Sequence, residues 1–242
     1  MANYYIVFYK IGISYMGSKT TPYAFTKEEM DRCNPSLWAP SIWLAFYRDN
    51  WYYFTAAAFV ISTLMALFVH QVEEYILPGG GPLVNVAFYG ERKDYDRYPG
   101  NKLSMAWVNT LAYPFYISAV VFSDQIWLGL AQCIFGFFQV IGQGRVMNIK
   151  ANTAYNPGVV NALLLHLPIG VYYIAFVQDH QLIKAVDWIY GLGAFILASL
   201  VTIALLILSC RDRQFPYPLT AREMAGFDLL NKYRAKGLLK VD

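Results

Sequence analysis

Apolar positions in this chain fall into long, nearly unbroken runs, not into the alternation of half-buried strands or the narrow stripe of soluble helices. Five runs stand out: 51–70 ("WYYFTAAAFVISTLMALFVH"), 104–123, 126–144, 157–177 and 187–209 ("DWIYGLGAFILASLVTIALLILS"). A helix needs about 20 predominantly apolar residues to cross about 30 Å of hydrocarbon. The pattern therefore predicts an all-α fold, a polytopic membrane bundle of about five transmembrane helices. Trp51, Trp107, Trp127 and Trp188 lie near span ends, as in an interfacial aromatic belt. "PGGGP" at 78–82 marks a loop after the first run, because three glycines between prolines cannot continue a helix. The organisation that follows is an N-terminal segment 1–50, a transmembrane domain 51–210 and a basic tail 211–242.

Composition sharpens this reading. Of the 242 residues, 57% are hydrophobic and 14% charged, against roughly 25% charged in an average soluble domain. A net charge of +3, with no basic stripe interleaved with aromatics, gives no footprint for nucleic acid. Cys33, Cys133 and Cys210 are odd in number and far apart, so neither a metal spacing nor a disulfide framework is expected. The start, "MANYYIVFYKIGISYMG", lacks the basic opening of a cleaved signal peptide, and Lys10 interrupts its apolar run.

The charges also set an orientation. With five spans, Lys10, Lys19, Lys27, Arg32, Arg48 and Lys184 fall on one side, 6 of the 19 basic residues. The other 13 fall in loop 71–103, loop 145–156 and the tail. The positive-inside rule puts that richer side, tail included, in the cytoplasm or its equivalent, and puts residues 1–50 opposite or along the interface.

The first run ends in "HQVEEY", where a histidine and two carboxylates close an otherwise apolar helix. Spacings of i, i+3 and i+4 put His70, Glu73 and Glu74 in one sector of that helix. Such groups are costly at this depth unless they pair, bind a metal or meet water; the plainer alternative is a polar cluster marking the helix end. Gln139 and Gln143 lie four apart near the end of the third run, followed by Asn148 and Asn152, and Asn109 lies about one turn inside the second. The fourth run opens with "YNPG", where Pro157 suits an N-terminal helical position and Asn156 suits its cap. Each amide alone is accounted for by an interhelical hydrogen bond; the set together points to a site. His166 lies deeper in the fourth run, beside Pro168. Its two readings are a functional group and a simple bond to a neighbouring helix.

"VHQVEEYILPG", "QVIGQGRVMN" and "AYNPGVVNALLLHLPIG" together resemble the HXXEE domain family of integral membrane proteins, over about residues 55 to 205. The named motif maps to His70, Glu73 and Glu74, and a second motif to Tyr155, Asn156, Pro157 and Gly158. The resemblance implies membrane helices around a polar cluster, and no particular activity.

Two classes of function fit. One is a membrane-embedded acid–base enzyme acting on a lipophilic isoprenoid or lipid substrate drawn from the bilayer. His70, Glu73 and Glu74 would then be catalytic, and Asn109, Gln139, Gln143, Tyr155 and Asn156 would bind substrate. Sterol-type membrane isomerases pair His and Glu similarly, by analogy only. The other is a non-catalytic accessory subunit of a larger membrane-protein complex, docking through the aromatic-rich N-terminal residues. A metal variant would use His70, Glu73 and His166, but with three histidines in the chain no metal site is assigned, and no cofactor is identified.

Overall fold

In the computed structural model, residues 35–240 are described, with side chains described for Tyr52 and from Phe54 onward. The chain divides into two units, Met1–Asp49 and Asn50–Asp242, and apart from the bounds of the first helix all that follows concerns the second. The expectations for the N-terminal segment and for Cys33 fall largely or wholly outside the described residues.

The described regular structure is entirely helical. Helix α1 spans Pro35–Tyr75, and α2 spans Lys102–Val121. Helices α3 (Ile126–Ala151), α4 (Val159–Asp179) and α5 (Ala185–Cys210) follow. Among the described residues, four helices are long and apolar enough to cross a membrane: Phe54–Tyr75 of α1, with α3, α4 and α5. The protein is a membrane protein of helical-bundle architecture. Helix α2 has 20 residues, but Ser104, Asn109, Thr110, Tyr113, Tyr116 and Ser118 dilute its apolar character.

Side-chain bonds fix how the helices run. Asn109 Nδ2 donates to Tyr75 Oη at 3.1 Å, and Tyr113 Oη to Gln71 Oε1 at 2.5 Å. Positions that climb α2 therefore descend α1, so the two are antiparallel. Deeper, Gln132 of α3 donates to the Tyr116 carbonyl at 3.0 Å and accepts from Thr63 of α1. At the far end Tyr173 Oη of α4 donates to the Ile126 carbonyl at 3.0 Å. Asn101 caps α2 by accepting from Ser104 N, while its Nδ2 donates to the Cys210 carbonyl at 2.6 Å. The ends of α1, α3 and α5 and the starts of α2 and α4 thus gather at one end of the bundle.

A second apolar core covers that end. Leu83, Val86 and Ala87 of the α1–α2 connection pack with Met105, Ala151 and the tail residues Leu219, Met224, Leu230 and Tyr233. The tail helix α6 (Leu229–Ala235) belongs to this cap. Buried Asn85 organises the connection, donating to the carbonyls of Tyr95 and Gly100 and accepting from Gly100 N. Arg213 bridges Glu91 and Asp94, Lys102 meets Glu223 at 3.1 Å, and the Leu219 amide donates to the Asp96 carbonyl. The tail is thereby held to the connection. Cys133 and Cys210 are free thiols.

One detail differs from the sequence expectation. Helix α3 does not end near 144 but continues to Ala151, stopping at Asn152 in the left-handed region (φ 49°). It continues because its ladder widens into a π-helical turn at Gly142–Met147 instead of breaking. Similar turns occur at Ala162–His166 of α4 and Leu200–Leu205 of α5. A π turn shifts the side chains beyond it around the axis, and such turns often sit at functional sites.

Candidate functional site

The polar groups converge at the capped end, beneath the second core. His70 is 3% exposed, Glu73 8% and Gln143 4%, while the Glu74 side chain is 18% exposed, so the cluster is largely but not wholly buried. Gln143, carried inward by the π turn of α3, donates from Nε2 to Glu74 Oε1 at 2.6 Å. The same nitrogen lies 3.3 Å from His70 Nε2, and His70 Nε2 lies 3.5 Å from Glu74 Oε1. Imidazole, carboxylate and amide form one triangle across α1 and α3.

The adjacent carboxylates have separate surroundings. Glu73 Oε2 accepts from Asn161 N at 2.7 Å, and Oε1 accepts from Val160 N at 3.1 Å and Tyr155 Oη at 3.2 Å. The two backbone donors are free N–H groups opening α4, where the helix dipole favours an anion. Glu73 therefore acts as a cap supplied by another helix. This corrects the expected role of Asn156. The residue before α4 is Gly158 (φ 92°), which offers no side chain. Asn156 instead donates to Asn148 and accepts from Tyr233 Oη at 2.8 Å, tying the α3–α4 loop to the tail. Burial and the nearby Glu73 and Glu74 charges raise the Tyr155 phenol above its ordinary value, so it stays a donor.

Gly158 is dictated by contact as well as by its positive φ. A Cβ there would stand 2.3 Å from Gln143 Oε1 and 2.6 Å from His70 Cε1. Gly136 of α3 similarly admits His166, whose Cβ would lie 2.9 Å from an added methyl. The His166 ring meets that of His70 edge-on, with centroids 5.5 Å apart. His166 Nε2, Gln143 Oε1 and both amide atoms of Asn161 are buried with no hydrogen-bond partner among the described residues.

On its other side the triangle opens into a cavity of about 190 Å³ between α1, α2, α3 and α5. Its polar wall includes His70, Gln71, Glu74, Asn109, Gln139 and Gln143; Phe115, Phe135, Phe138, Phe195 and Ile203 are among its apolar walls. Glu73, Tyr155 and Asn156 are not in that wall. Of the predicted site residues, the structure brings His70, Glu74, Asn109, Gln139 and Gln143 to one cavity, and assigns Glu73, Tyr155 and Asn156 to the frame behind it. Sequence reasoning missed Gln71 and Tyr75, which form the α1–α2 contact. Their i, i+4 spacing beside His70 and Glu74 was the available signal. Among the described residues, no three of His, Cys, Asp and Glu are placed to share a metal ion.

A sequence-family model, described as a protein of unknown function with HXXEE motif, matches residues 61–173. That stretch belongs to the HXXEE family. No curated protein and no solved structure matches the chain. The HXXEE region holds α2 together with the site-bearing parts of α1, α3 and α4, so the Glu73 cap and the His70–Glu74–Gln143 triangle both lie inside it.

Proposed function

We propose that this protein is a membrane-embedded acid–base enzyme acting on a lipophilic substrate. Glu74 moves the proton, and His70 and Gln143 hold it in place. The observation that carries this reading is the division between the two carboxylates. Glu73 is fully engaged by three donors, whereas Glu74 borders the cavity beside an imidazole. The chemistry suited to the pair is proton relocation: a proton leaves one carbon of the substrate for Glu74 and returns to another. Substrate enters from the bilayer, and Glu73 is a positioning residue that fixes α4. The basic tail lies on the cytoplasmic or equivalent side, as the 13-to-6 distribution of Lys and Arg suggests.

Native mass spectrometry of the detergent-purified full chain tests this against a role as an accessory subunit. The expected result is a lone species carrying a lipid that organic solvent releases. A stoichiometric protein partner with no bound lipid would overturn the reading.

A further inference from the structure

We propose that the cavity takes a neutral single-chain lipid bearing two oxygen functions, one at its head beside Glu74 and one about 12 Å along its chain, the second bound by Tyr116. The proposal rests on the acid–base reading above and names its substrate class.

Length comes first. Along α3 the wall runs from Phe135 to Met147, and along α5 from Phe195 to Ile207. Each interval is twelve residues, about 18 Å at 1.5 Å per residue. The space is a slot along the bundle axis, shaped for a chain. Charge comes next. Among the described residues, no Lys or Arg lines the slot, while Glu74 does. A carboxylate or phosphate head would face the Glu74 carboxylate with only the His70 imidazole, already paired to Glu74, beside it. A hydroxyl or carbonyl head meets no such repulsion, and Ser199 Oγ, in the α5 wall, has no hydrogen-bond partner among the described residues.

The deep end carries the decisive residue. Tyr116 of α2 is 1% exposed, borders the slot, and its hydroxyl has no hydrogen-bond partner among the described residues. Its ring packs edge-on against Phe135 at 6.1 Å, and Phe135 precedes Gln143 by eight residues, about 12 Å of helix. A buried hydroxyl with no partner is unfavourable by itself. In an apolar wall it becomes favourable when a ligand oxygen accepts a hydrogen bond from it.

The test uses the full chain in nanodiscs with three sixteen-carbon probes: the primary alcohol, the same alcohol with a ketone at carbon nine, and the carboxylate. Binding is read by native mass spectrometry. The keto-alcohol is expected to bind roughly three- to tenfold tighter than the plain alcohol, the gain from one buried hydrogen bond, with the carboxylate weakest. Tyr116→Phe should equalise the two alcohols while leaving the thermal stability of the lipid-free protein unchanged or higher, since it breaks no hydrogen bond among the described residues. Equal affinity of the two alcohols for the native protein, tightest binding of the carboxylate, or a ketone preference that survives Tyr116→Phe would overturn the proposal. Failure of the underlying reading looks different: the plain alcohol itself does not bind, and both fall.

Discussion

Adjacent glutamates on one helix turn have opposite surroundings. Glu73→Gln keeps the shape but sets an NH2 group against backbone N–H donors and removes the anion from the start of α4. It should lower stability by about 1–3 kcal/mol, read as a fall in melting temperature. Glu74→Gln keeps an oxygen for Gln143 Nε2, so its melting temperature should hardly move. Gly158→Ala should be worse than either, because it combines a strained φ of 92° with a Cβ 2.3 Å from Gln143 Oε1. A Gly158→Ala protein with native melting temperature would count against the close packing of α4 on the triangle.

Among elements, the cap binds the tail to the α1–α2 connection through carboxylates whose titration can be followed. Burial pushes Glu91 up, but backbone donors at Lys93 and Asp94 and the Arg213 guanidinium outweigh it, leaving it below its ordinary 4.5. Glu223 is lowered in the same way by Thr220 and Lys102. A folded-state value below the unfolded one means the contribution is complete above about pH 4.5 and fades as pH falls through the lower, folded values. Protection of amides in α6 and in residues 84–100, taken relative to their intrinsic exchange rate at each pH, should therefore fall together below pH 4.5, and Lys102→Met should shrink the acid sensitivity. Protection in α6 that does not change with pH would contradict this.

These elements also show what the sequence could convey. The helices were legible because length and apolarity decide a membrane span, and the polar cluster was legible because i, i+3 and i+4 spacing is read directly from "HQVEEY". The separation of Glu73 from Glu74 was not legible. It depends on where the start of α4 lands, and that is a tertiary contact. The cap was equally hidden, because its core joins residues more than a hundred positions apart, such as Leu83 and Tyr233.

At the scale of the whole molecule, one end of a helical bundle carries the site, the cap and most of the positive charge. Cysteine labelling in sealed vesicles should find residues of 211–240 accessible from the cytoplasmic side only; labelling from the opposite side would reverse the proposed orientation. The central claim is that Glu74 transfers protons while Glu73 holds the frame. It is tested most directly by incubating native, Glu73→Gln and Glu74→Gln proteins in D2O with total lipid extract of the host membrane, and reading carbon-bound deuterium by mass spectrometry. The account predicts incorporation by the native protein, incorporation by Glu73→Gln at temperatures where it stays folded, and none by Glu74→Gln despite its native melting temperature. Incorporation that survives Glu74→Gln, or native protein that adds no deuterium beyond a protein-free control, would contradict it.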